Sequence, residues 1–206
     1  MSHETFELIQ RLDKSDIGTQ LALQCAPLIS GIKISNLLII PPSGVCQLDH
    51  ILRGSMLSYY ILAESDEKAV LLLFHRRSLE EYLLLPDNLT LLKEMGYQRF
   101  GLYDILPVFS MRYQNYLAVR SDFPHEMGVL LGYPIEDVRG FIDHNGKNFI
   151  FSGYWKVYGN PALKMQLFRS YERAKHTLVQ LISEGAHISD IIHFYHHKQV
   201  LSEAAG

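Results

Sequence analysis

Along this chain apolar residues alternate between helical spacing and short extended runs up to about His75 and keep mostly to helical spacing afterwards. Phe6, Leu8, Ile9 and Leu12 predict a short first helix. Ser15 or Asp16 can cap a second, in which Ile17, Leu21, Ala22 and Cys25 share a face and which Pro27 is expected to end. Ile32 to Ile40 is apolar and β-branched and stops at Pro41-Pro42, so a strand is expected there. Leu48, Ile51 and Leu52 suggest a short helix ending near Gly54. Leu57–Ala63 and Ala69–Phe74, joined by the polar Ser65-Asp66-Glu67-Lys68, read as a hairpin. Its second strand is apolar at every position, the pattern of a central strand covered on both faces.

Beyond His75 helices are predicted over Ser78–Leu84, Asp87–Met95, Asp104–Val119, Pro124–Leu131 and Pro134–Asp143. Proline at or near the first turn suits the last two, because its missing N–H has no partner to lose there. Asn145-Gly146 is a turn, and Asn148–Tyr158 is aromatic and extended, interrupted at Ser152-Gly153. A long helix from Pro161 to about Ser183 carries Leu163, Leu167, Tyr171, Ala174, Leu178 and Leu181 on one stripe. A last helix is expected over Ser189–Lys198, with Glu203–Gly206 a frayed tail. The pattern is α+β: a small N-terminal sheet of strand, helix and β-hairpin, then a mainly helical C-terminal half. A single domain over 1–206 is expected, its sheet-containing part about 1–76 and its helical part about 77–200.

Composition narrows the function classes. With 206 residues, 48% of them hydrophobic, the chain can bury a core without disulfides or metal. A formal charge of −3 gives no global attraction to nucleic acid or anionic membrane. The longest apolar run, Leu37–Pro42, is far short of the roughly 20 residues of a membrane span. The first residues carry no basic-then-apolar signal pattern, and Cys25 and Cys46 form no C-x-x-C, so both read as reduced thiols of a cytoplasmic protein.

Five constellations could carry chemistry. Cys25 lies eight residues before Lys33, a cation that would favour a thiolate, but it sits at a helix C-terminus, where the dipole opposes one. His125-Glu126 could be an acid/base or metal-ligand pair, although neighbours on a helix point about 100° apart and no second histidine follows at H-E-x-x-H spacing. Glu126 to Ile142 has the spacing of two short helices round a glycine turn. DNA reading is disfavoured there, because Asp122, Glu126, Glu136, Asp137 and Asp143 face only Arg139. Tyr154, Trp155, Lys156 and Tyr158 open a basic stretch with Lys147, Lys164, Arg169, Arg173 and Lys175 against Glu172 alone. It could hold an anionic ligand, stack bases, or dock the acidic run before it. His193, His196 and His197 lie on one helix face and are weak candidates for a metal. No P-loop, G-x-G-x-x-G or G-x-S-x-G is present.

Three blocks resemble the bacterial family known as domain of unknown function 3793, found largely in anaerobic Firmicutes. They are Cys25-Ala26-Pro27 through Gly31-Ile32-Lys33, Phe123-Pro124-His125-Glu126 through Gly140-Phe141-Ile142, and Gly153-Tyr154-Trp155-Lys156-Val157-Tyr158. The chain departs from the family pattern at Leu28-Ile29, where Thr then Leu is expected, and at Met127, where Ile is expected. The resemblance implies no reaction, cofactor or catalytic residue.

The residues therefore support a non-enzymatic accessory module binding a small molecule or a protein, its surface built by His125, Glu126, Tyr154, Trp155, Lys156 and Tyr158. A thiol- or metal-dependent enzyme joining Cys25 to His125, with Glu126 assisting, is the alternative. Nucleic-acid binding through residues 147–175 is a third. The cofactor is unknown, no membrane partner is expected, and a homo-oligomer is compatible with the chain.

Overall fold

The computed structural model describes residues 3–120 and 122–204. The architecture is α+β, built on a three-stranded antiparallel sheet of β1 (Ser35–Ile40), β2 (Leu57–Glu64) and β3 (Ala69–His75). The order is β1-β3-β2, which puts the all-apolar strand in the centre, and every residue of β3 is buried. Alternation along β3 divides the molecule. Ala69, Leu71 and Leu73 face one layer, packed with α2 (Ile17–Ile29), α3 (Val45–Leu52) and parts of α9 (Pro161–Ser183) and α10 (Ile188–Ala204). Val70, Leu72 and Phe74 face the other, packed with α4 (Arg76–Leu83), α5 (Pro86–Glu94), α6 (Leu102–Val119), α7 (Met127–Leu130) and α8 (Ile135–Asp143). Burying each of these larger side chains contributes about 1.5–3 kcal/mol. A bulge at Leu62 interrupts the β2–β3 ladder, and α6 satisfies its carbonyl through Ser110 Oγ at 2.7 Å and Gln114 Nε2 at 2.9 Å.

The first helix, α1 (His3–Arg11), lies against α9, and Asp16 caps α2 by accepting the Thr19 N–H. Pro27 does not end α2. It sits inside the last turn, and the helix closes at Ser30–Gly31, where the N–H groups of Ile32 and Lys33 both return to the Pro27 carbonyl. That turn consumes the first residues of the expected Ile32–Ile40 strand, so β1 starts at Ser35.

The helical half follows the expected order with four corrections. The Pro124–Leu131 helix shrinks to the single turn of α7, because Pro124 and His125 make only tight turns into it. Asn148–Tyr158 contains just a two-residue hairpin, β4 (Phe151–Ser152) with β5 (Lys156–Val157). On α9 the stripe begins one residue late: Lys164 and Phe168 are buried, whereas Leu163 is exposed and Leu167 half-buried. α10 continues to Ala204, so the tail is helical where described, and Ala205 and Gly206 lie outside the described residues. No helix among the described residues is long and apolar enough to cross a membrane.

Candidate functional site

The acidic start of α8 fastens the aromatic hairpin in place. Glu136 and Asp137 lie in its first turn, where carboxylates complement the helix dipole. Asp137 is only 2% exposed. Its Oδ2 accepts the Trp155 indole N–H at 2.7 Å, and its Oδ1 accepts the backbone N–H groups of Tyr158 at 2.8 Å and Gly159 at 3.1 Å. The Lys164 ammonium, equally buried, stands 3.8 Å from Asp137 and pairs with Glu136. The acidic run thus docks on the basic one. Each hydrogen bond to such a charge contributes about 1.5–3 kcal/mol. Gly153 and Gly140 permit the fit, since a Cβ at either would collide with the Phe168 or Tyr158 ring respectively.

Between this hairpin and the start of α7 lies a half-open cavity of about 600 Å³. Its walls come from α6 (Tyr113, Tyr116), the loop before α7 (Phe123, His125), the α7–α8 unit (Met127, Leu131, Tyr133, Val138, Phe141) and residues 152–156, with Leu37 of β1 also contributing. The rings form a continuous series. Tyr116 and Phe123 meet edge to face at 5.2 Å, Phe123 and His125 lie 5.7 Å apart, and His125 and Phe141 5.6 Å. Across the cavity Trp155 stacks on Tyr133 at 4.6 Å and receives the Phe168 ring edge-on at 4.6 Å. Phe123 and Tyr154 remain 39% and 40% exposed and mark its solvent side. Burial pushes the Tyr133 hydroxyl up to about 12, and burial together with the Glu172 carboxylate raises that of Tyr154, so both stay protonated donors.

His125, Tyr154, Trp155 and Lys156 therefore share one hollow. His125 is half-buried, and its ring makes no hydrogen bond to a described residue. Lys156 Nζ donates to the Gly146 carbonyl at 2.8 Å and lies 5.5 Å from the Phe141 ring centre and 5.1 Å from that of Phe149. Trp155 is 8% exposed with its ring covered by neighbours, so it is wall rather than a platform for bases.

Other candidates lie elsewhere. Glu126 turns away from His125 and is 3% exposed. It accepts the Arg112 guanidinium at 2.8 Å and the Tyr97 hydroxyl at 3.0 Å, so it is a buried structural ion pair. Tyr158 packs over Gly140 and stacks with His144 at 5.7 Å, outside the cavity lining. Cys25 is fully buried on the α2 side of the sheet, beside the Leu37 carbonyl at 3.7 Å and the Asn36 amide at 3.8 Å. His125 lies on the other side, so no thiol–histidine pair forms. Burial pushes the Cys25 thiol up to about 12, the reverse of activation, and pulls the Lys33 ammonium down to about 8. His193 approaches the Arg53 carbonyl and His196 stacks on His197. Among the described residues no group of three His, Cys, Asp or Glu side chains could hold a metal ion.

Tyr113, Tyr116 and Phe141 were not foreseen as site residues, and Asp137 was foreseen only as one member of an acidic run that could dock on the basic stretch. The two tyrosines lie three apart on α6, a spacing that reads equally as packing. Nothing local distinguishes Asp137 from an ordinary acidic first-turn residue.

No curated protein and no solved structure matches the chain. The three sequence blocks that build the α2 end, the α7–α8 unit and the hairpin fall within residues 21–192, the span matched by the family described as Protein of unknown function (DUF3793), and the chain belongs to that family.

Proposed function

We propose that the protein is a non-enzymatic module that binds a small aromatic molecule in the cavity between α6, the α7–α8 unit and the β4–β5 hairpin. One observation carries the reading. A hollow of about 600 Å³, well within the usual size of ligand sites, is walled by aromatic rings from several elements and left unfilled by the chain's own side chains. A few polar groups, His125, Asp137, Ser152 and Lys156 among them, interrupt the aromatic lining, the arrangement that orients a ligand after apolar contact has supplied affinity. Two free cysteines, one of them exposed, support a reducing, cytoplasmic setting.

The test uses the chain's one tryptophan, which is in the cavity wall. The neutral fluorophore N-phenyl-1-naphthylamine should brighten on titration and quench Trp155 with one-site saturation. At about 0.3 kcal/mol per heavy atom its dissociation constant is of order 100 µM. Ser152→Phe, which adds a ring at the exposed edge of the lining, should weaken that binding about tenfold or more while leaving the urea midpoint unchanged. Absence of saturable binding, or equal binding to the filled variant, would refute the role.

A further inference from the structure

Resting on that binding role, we infer that the ligand is a planar aromatic anion, its ring stacked in the cavity and its charge held by Lys156 and His125. The polar groups of the lining are unequally committed. Asp137, the one carboxylate there, already accepts the Trp155 indole N–H and two backbone N–H groups and faces the Lys164 ammonium at 3.8 Å, so most of its acceptor capacity and its charge are spent inside the protein. Glu126 points into its pair with Arg112 and does not reach the cavity.

The donors are free by contrast. Of the three N–H bonds on the Lys156 ammonium, Gly146 takes one. His125 has both ring nitrogens without a partner among the described residues. The two side chains flank the same ring, at 5.6 Å between the His125 and Phe141 ring centres and 5.5 Å from Lys156 Nζ to that of Phe141. Both therefore border the Phe141 part of the wall. Aromatic rings alone would also attract a cation, but the faces of Phe141 and Phe149 already hold the Lys156 ammonium, and its charge repels a second one. A carboxylate, sulfonate or phosphate substituent completes the unfilled donors, while the ring system meets Tyr133, Trp155, Phe123 and Tyr116.

Two dyes sharing one ring skeleton separate charge from stacking. 1-Anilinonaphthalene-8-sulfonate carries the anion that N-phenyl-1-naphthylamine lacks. The sulfonate should bind about tenfold more tightly, the range of one hydrogen-bonded charge in a partly buried site. Lys156→Met, which keeps the apolar stem against Phe141 and Phe149, should erase most of that advantage, read as the ratio of the two dyes' dissociation constants within the same variant. Added salt should weaken only the sulfonate in the unmodified protein, a readout that needs no variant. Equal affinity for both dyes, or an advantage that survives both Lys156→Met and high salt, overturns the anion and leaves the binding role standing. More effective displacement of the neutral dye by benzyltrimethylammonium than by benzenesulfonate also overturns it. Binding of neither dye removes the role and this inference together.

Discussion

Replacing Asp137 by alanine removes the acceptor of three donors and one partner of a buried ammonium at a single point. Lys164, 2% exposed, would keep only Glu136, whose side chain is 50% exposed. Breaking a buried ion pair costs about 3–5 kcal/mol, because the remaining charge stays desolvated. The indole N–H of Trp155 also loses its acceptor, whereas the half-buried Tyr158 and Gly159 N–H groups can recover water as the loop relaxes. The expected loss is therefore about 4 kcal/mol, a fall in melting temperature of roughly 10 °C for a chain of this size. Lys164→Met leaves the carboxylate with its three N–H donors and should cost about 1–2 kcal/mol. In the double variant no charge is stranded, so the combined loss should fall short of the sum by about 1 kcal/mol or more. Urea titration followed by Trp155 emission measures all three, and the emission should shift to the red in Asp137→Ala even before unfolding, as the indole swings toward water. A loss under about 1 kcal/mol, or strict additivity, would show that Asp137 does not hold the hairpin.

Two further outcomes follow from buried ionisable groups. A thiol reagent such as dithionitrobenzoate should modify one cysteine per native chain, the exposed Cys46, and reach Cys25 only on denaturation; rapid modification of both would place Cys25 wrongly. Burial holds the Lys33 ammonium at about 8 against 10.5 when exposed, so near pH 9 the unfolded chain binds more protons there than the folded one. Stability should accordingly rise by about 1 kcal/mol from pH 7 to pH 9. From about pH 8 upward the buried Cys25 thiol, at about 12 against 9.0, works in the opposite direction, because the unfolded thiol ionises first, and it trims the rise. Urea midpoints of Lys33→Met should show no such rise, and an equal rise in that variant would assign it elsewhere.

How legible each feature was depends on the range of the interaction behind it. The apolar run of β3 announced its central place, because burial on both faces leaves no polar position. The divergence of His125 and Glu126 was expected from a helix that in fact starts only at Met127, and the tight turn before it sends one to the cavity and the other to Arg112. On α9 the apolar stripe misplaced the first two turns, since hydrophobicity cannot reveal that the Lys164 ammonium is buried because carboxylates of α8 meet it. Pro27 was over-read as a helix end, because a proline in a last turn removes one hydrogen bond without preventing the turn from closing on Gly31.

By itself the sequence determined the α+β class, the sheet before the helices and most element positions, since periods of 2 and 3.6 residues are local and survive in one dimension. Tertiary structure alone decided that Cys25 and His125 lie on opposite sides of the sheet and that Tyr116, Phe123, Phe141 and Trp155 surround one hollow. Those groups are brought together by packing between segments far apart in the chain. A contact of that kind depends on how whole elements dock, and it leaves no period behind in either segment.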